Sequence, residues 1–207
     1  MRNPNQVQAE HKVATNGDNI TNVFGTLTRR EQDKLSGQLC RLVPEFADID
    51  VVPQGMGQHS LRFQDAWKED LWYSTNEVSD GTMLLLAYLL LQYQNPPVEI
   101  LAIEEPERGL HPYLLEQLVM FLRKLTQDSV GKRPVQVVLA THSAELLEFL
   151  KPEEVRFLSR NTEDGSVTVS EAPTEEPAWT RAFDEYKQSM SSIWLSGGLG
   201  GVPGTVL

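Results

Sequence analysis

Apolar residues along this chain follow two spacings, and the alternation between them predicts the fold. In REQDKLSGQLCRLVPEF (30–46), Leu35, Leu39 and Leu42 recur at helical spacing and the helix stops before Pro44. IDVVPQGMGQHSLRFQD (49–65) reads as two short strands around a Pro/Gly turn. The next helix is expected over residues 80–94, with Ser79 as N-cap, Asp80 in the favourable first turn and Asn95-Pro96-Pro97 as its stop. VEILAI (98–103) and VQVVLA (135–140) are continuous apolar runs, the pattern of parallel strands covered on both faces. Between them Pro112 opens a helix whose apolar face is Leu114, Leu115, Leu118, Val119, Leu122 and Leu125. THSAELLEFL (141–150) turns into another helix, EVRFLSR and SVTVSEA flank NTEDG as a hairpin, and a last helix covers 178–194. The Asn- and Gln-rich residues 1–19 are expected to be disordered, and residues 196–207, which contain SGGLGGVPG, to form a mobile tail.

Helix, buried strand, helix, buried strand, helix implies crossover units, hence an α/β fold with a mostly parallel sheet and helices on both faces. Ligands of such sheets bind beyond the carboxyl ends of the strands. Two polar clusters, Glu104-Glu105 and Thr141-His142, stand at two such ends.

Composition narrows the classes. A chain of 207 residues suits one domain, and 40% hydrophobic with 23% charged residues suits a globular one. The net charge of −11 argues against a surface that coats nucleic acid broadly, though it leaves room for a local basic patch. MLLLAYLLL (83–91) is too short to span a bilayer and reads as core, and the polar N-terminus lacks a signal-peptide pattern; a cytoplasmic location is the expectation. Cys40 is the one cysteine, so neither an intrachain disulfide nor a Cys-based zinc site is expected.

The chemistry lies in EILAIEEPERGLHP (99–112). Two carboxylates side by side after a buried strand repel each other and lose hydration, so something positive should offset them, with a metal ion the first candidate. Taken separately, Glu104-Glu105 also fits a solvated strand end, His142 a turn histidine and Ser79 a simple cap.

The order and spacing of EVSDGTM (77–83), IEEPE followed by LHP, and THS (141–143) resemble the C-terminal half of an ABC-type ATPase, nearest the AAA-type ATPases close to the OLD and RecF-like proteins. The resemblance runs from about Asn19 to Val202 and implies a P-loop NTPase fold that uses ATP and Mg²⁺. It implies that Glu104 is the Walker B acid that holds Mg²⁺ and that Glu105 orients or deprotonates the attacking water. His142 would be the γ-phosphate switch, and Gly109, Leu110 and His111 the D-loop that reaches across a dimer. Ser79 and Gly81 would present the signature helix to the partner's ATP. His111 has a structural reading as well, setting the entry of the helix that follows.

One element is missing. No G-x-x-x-x-G-K-[ST] occurs, and Gly131-Lys132 lacks the earlier glycine, is followed by Arg133 and falls in a loop, so it is rejected as a nucleotide site. Residues 20–195 are therefore expected to be the C-terminal portion of an ATPase domain that is incomplete at its N-terminal side, with one strand edge and face left open. The first lobe would come from another chain, or the sequence is a fragment. A non-catalytic interaction module that binds no nucleotide is the rival. A metallohydrolase of Glu104, Glu105, His111 and His142 is weaker, since no H-E-x-x-H spacing occurs. A homodimer is the expected assembly, and DNA is a partner the resemblance allows but no residue specifies.

Overall fold

The computed structural model describes residues 1–127, 134–161, 163–186 and 189–196. Gly131-Lys132 and the glycine-rich tail from residue 197 onward lie outside them. The chain divides into two compact units, Met1–Ile103 with Arg108–Leu139, and Glu104–Glu107 with Ala140–Leu207.

In the first unit, α1 (Ile20–Thr26) and α2 (Arg29–Leu42) precede a hairpin of β2 (Phe46–Gly55) and β3 (Gln58–Asp65). The carboxylate of Glu31 accepts hydrogen bonds from the N–H and the hydroxyl of Thr28, which starts α2 where the sequence places it. The turn between the strands takes left-handed backbone at Gly55, Met56 and Gly57. Short strands β1 (Asn5–Gln6) and β4 (Trp72–Ser74) pair with β3, completing a four-stranded antiparallel sheet. Arg62 ties three strands together: it pairs with Asp50 at 2.7 Å and lies 4.2 Å from the centre of the Trp72 ring.

The N-terminal segment departs from expectation. Beside the β1–β3 pairing, Asn5 donates to the Asp18 carbonyl, and Glu10 accepts from Asn22. Polar composition predicts disorder when nothing is available to pair with; here amide side chains find carbonyl and carboxylate partners, and β3 offers an edge.

Helix α3 (Asp80–Leu90) sits at the centre of the core. Met83, Leu85, Leu86, Leu89 and Leu90 are all buried, against Ile20 and Phe24 of α1, Leu35 and Leu39 of α2, and Ile49, Leu61 and Phe63 of the sheet. An apolar run reads as core when it is enclosed all round, and each such side chain contributes roughly 1.5–3 kcal/mol. The helix stops at Leu90 and closes with a 3-10 turn over Leu91–Tyr93, short of the expected residue 94. Helix α4 (Pro112–Thr126) buries Leu115, Leu118, Val119 and Leu122, the expected face.

Strands β5 (Ile100–Glu104) and β6 (Gln136–Ala140) pair with each other. Gln136 N–H donates to the Glu99 carbonyl at one end and Glu105 N–H to the Ala140 carbonyl at the other, both at 2.8 Å, so the strands run parallel. This is the parallel element the sequence calls for; the other two sheets are antiparallel and contain the two strand pairs it also predicts, so among the described residues the strands are not mostly parallel. Exposure alternates along both strands, so they are not covered on both faces: Ile100 and Val138 remain 64% and 51% exposed. An uninterrupted apolar run marks two faces that avoid water; among the described residues only one of them is covered.

In the second unit, α5 is four residues (Ala144–Leu147), shorter than expected, and β7 (Arg156–Arg160) with β8 (Val167–Glu171) forms the expected antiparallel hairpin. The last helix is two, α6 (Pro177–Glu185) and α7 (Met190–Leu195), because Ser189 accepts the Ser192 N–H and starts a new helix. Leu147, Phe157, Trp179, Met190 and Ile193 form its core, with Trp179 stacked on Phe183 at 5.5 Å. Among the described residues no helix is long and apolar enough to cross a membrane.

Candidate nucleotide site at a parallel strand edge

In the second unit, Glu104 is the last residue of β5 and Ala140 the last of β6, so the acid pair and the Thr141-His142 turn leave the same carboxyl edge. The 2.8 Å bond from Glu105 N–H to the Ala140 carbonyl locks these two exits side by side. Glu104, Glu105 and His142 are all solvent-exposed. Glu105 has a φ of +46°, a left-handed conformation that costs a non-glycine residue roughly 1–2 kcal/mol. That backbone turns the chain sharply at the residue expected to orient water, and strain of this kind concentrates where geometry serves function.

The turn after β6 is held by a short relay. Thr141 Oγ1 donates to Glu107 Oε1 at 2.6 Å and accepts from Ser143 N–H at 2.9 Å. Ser143 Oγ then accepts from Leu146 N–H at 3.0 Å, capping α5. His142 sits between these two anchored residues.

In the first unit, the residues expected at a dimer face also come together. Ser79 Oγ accepts from Thr82 N–H at 3.1 Å and caps α3 as expected. Asp80 pairs with Arg2 at 2.5 Å, and Arg2 also donates to the Thr75 carbonyl. Gly81 is packed so closely on Gly109 that an added Cβ would lie 2.4 Å from the Gly109 carbonyl oxygen. Gly109 itself has a φ of +75°, which favours glycine. His111 Nδ1 accepts from Tyr113 N–H at 3.2 Å and caps α4, with Pro112 in its first turn. That is the structural role the sequence allows for this histidine.

The site residues thus divide between the units: Ser79, Gly81, Gly109 and His111 in the first, Glu104, Glu105 and His142 in the second. Sequence reasoning missed Arg2, Thr75 and Glu107. Arg2 and Asp80 are far apart along the chain and carry no local signal; Glu107 was visible in EEPE as a third acid but not as a partner for Thr141.

Residues 8–148, more than half of the chain, match a sequence family described as "AAA domain, putative AbiEii toxin, Type IV TA system". The chain belongs to this AAA-domain family. Among curated proteins no sequence relative was found. The fold of this AAA-domain protein is similar to ATPase heads of known structure. One is a chain from the structural biochemistry of ATP-driven dimerization and DNA-stimulated activation of SMC ATPases, at TM-score 0.53 and 13% identity, covering 81% of this chain and 97% of that one. Another is the Smc head with an extended coiled coil bound to the C-terminal domain of ScpA, from Pyrococcus furiosus, at TM-score 0.50 and 13% identity, over 81% of this chain and 40% of that one. A third, the Smc head bound to the C-winged helix domain of ScpA, gives TM-score 0.50 at 11% identity over 79% of this chain and 49% of that one. At such identities these likenesses establish the fold of the AAA-domain protein, a P-loop NTPase-like arrangement.

Proposed function

We propose that this AAA-domain chain is the C-terminal portion of an ABC-type ATPase, of the OLD and RecF-like kind, completed by a Walker A lobe that these 207 residues do not contain. The observation that carries the reading is the shared edge: an acid pair and a histidine follow two adjacent parallel strands joined at Glu105 and Ala140. Phosphoryl transfer needs positioned charges more than covalent chemistry, and these are the residue types it uses.

The residues fit Mg²⁺ bound with a triphosphate. Among the described residues no group of three or more His, Cys, Asp and Glu side chains could hold a metal alone. Mg²⁺ favours one or two carboxylates with the remaining ligands from phosphate and water, so a two-acid edge suits it. When bound, the ion would neutralise charge on the β- and γ-phosphates. Glu104 would hold the ion, Glu105 would orient the attacking water and take its proton as the γ-phosphate leaves the diphosphate, and His142 would contact the γ-phosphate. Ser79 and Gly81 present the N-terminus of α3 to a nucleotide held by a second copy, with Gly109, Leu110 and His111 on the same dimer face; free N–H groups there favour an anion. The exposed Ile100 and Val138 face supports a completing lobe, since bare apolar strand surface is a place for another layer. The metallohydrolase alternative finds no such group among these residues.

The test is Mg²⁺-dependent ATP hydrolysis by the chain alone and then with the region encoded immediately upstream. Hydrolysis that appears with the upstream piece and vanishes in Glu105→Gln supports the reading. Absence of nucleotide binding in both settings makes the chain an interaction module.

A further inference from the structure

We propose that Glu107 is a positioning residue for His142, acting through Thr141; this rests on the ATPase reading above. Three observations carry it. Glu107 Oε1 accepts from Thr141 Oγ1 at 2.6 Å, a short bond of the charge-assisted kind. Thr141 Oγ1 in turn accepts from Ser143 N–H, so the hydroxyl proton is committed to Glu107 and its lone pair to the main chain beyond His142. His142 is thereby bracketed by two residues that share one hydroxyl.

The third observation concerns cost. Glu107 Oε2 is buried without a hydrogen-bond partner among the described residues. A carboxylate placed for stability alone would satisfy both oxygens, because an unmet buried acceptor is expensive. Placing one oxygen on Thr141 and leaving the other unmet suits a group whose task is to fix the turn. The carboxylate also lies two residues past Glu105, whose N–H is bonded to Ala140 beside Thr141. One short segment therefore carries the water-orienting acid and, through Glu107, sets the histidine. If both must act on one γ-phosphate, their spacing is fixed by a main-chain bond and a side-chain bond together.

The test uses the full chain, labelled with ¹⁵N. His142 is one of four histidines, so its ring signals can be assigned by substitution. Thr141→Val and Glu107→Ala each break the relay, and Thr141→Ser keeps it. In both broken variants the Ser143 amide should exchange with solvent about tenfold faster, equivalent to about 1.4 kcal/mol, and the His142 ring signals should move. Thr141→Ser should keep the unmodified values. In the complex with the upstream protein, Thr141→Val should lower kcat for ATP about tenfold or more with KM within about twofold, and Thr141→Ser should restore it. Unchanged Ser143 exchange and His142 signals in both broken variants overturn the proposal, as does an unmodified kcat in Thr141→Val. If Glu107→Ala does not fold, Thr141→Val decides alone. Absence of hydrolysis by the unmodified complex is instead a failure of the ATPase reading, while the amide and ring measurements still decide the positioning role.

Discussion

Two glycines in helices give opposed predictions from the same chemical change. A methyl added at Gly81 in α3 would lie 2.4 Å from the Gly109 carbonyl oxygen, and the opposing atom is backbone, not a side chain that can swing away. Ordinary contact begins near 3.4 Å, so one of the segments must retreat by about 1 Å. Forcing a well-packed contact in this way costs about 1–3 kcal/mol. Replacing helical glycine by alanine returns up to about 1 kcal/mol, leaving Gly81→Ala destabilising by up to about 2 kcal/mol. Gly37 in α2 has nothing within 4 Å of an added Cβ, so Gly37→Ala should stabilise by about 0.5–1 kcal/mol. Urea unfolding of the full chain, followed by tryptophan fluorescence and circular dichroism, measures both. With a slope of about 1–3 kcal/mol per M, the two midpoints should move in opposite directions by several tenths of 1 M. The packing argument is refuted if Gly81→Ala is as stable as the parent, or if both variants shift the same way.

Three further outcomes follow from single residues. Because Glu105 holds a φ of +46°, Glu105→Gly should be more stable than Glu105→Ala by about 1 kcal/mol in urea, while both lose ATP hydrolysis in the completed complex. Burial of Glu148 acts to raise its pKa, but hydrogen bonds from the Ser189 hydroxyl and from the Ser191 hydroxyl and N–H outweigh it and hold the carboxyl below its ordinary value. With the folded value depressed, its stabilisation is present above the unfolded pKa of about 4.3 and is lost as pH falls through the folded one; acid titration of Trp194 fluorescence should show that loss, and Glu148→Gln should remove it. Val138→Lys, on the exposed face of β6, should change stability by no more than about 0.5 kcal/mol in urea yet prevent assembly with the upstream protein by size-exclusion chromatography.

What the sequence made legible follows from where its signals are local. Ser79 capping α3, Pro112 opening α4 and the β7–β8 hairpin depend on residues within a few positions, and all appear as read. The positions of the acid pair and of His142 were legible because each follows an apolar run, and the parallel pairing of those runs brings their exits to one edge. Long-range choices were not legible. The order of residues 1–19 depends on an edge of β3 and on Asp18, Asn22 and Thr75, none of which a polar composition reveals. The bare face of β5 and β6 contradicts two-sided burial, because a residue pattern records which faces avoid water and not whether the covering layer lies in the same chain. Glu107 was hidden for a similar reason: its partner Thr141 is brought close by strand pairing alone.

The proposed site places a divalent cation on Glu104, with Glu105 and His142 beside the triphosphate it accompanies, and Mn²⁺ in place of Mg²⁺ probes that arrangement. In the complex of ¹⁵N-labelled chain with the upstream protein, Mn²⁺ and ATP together should broaden the amide signals of Glu105, Thr141 and His142, and Glu104→Gln should abolish the effect. Equal broadening without ATP, or none at these residues with it, would rule out a nucleotide-linked cation at Glu104.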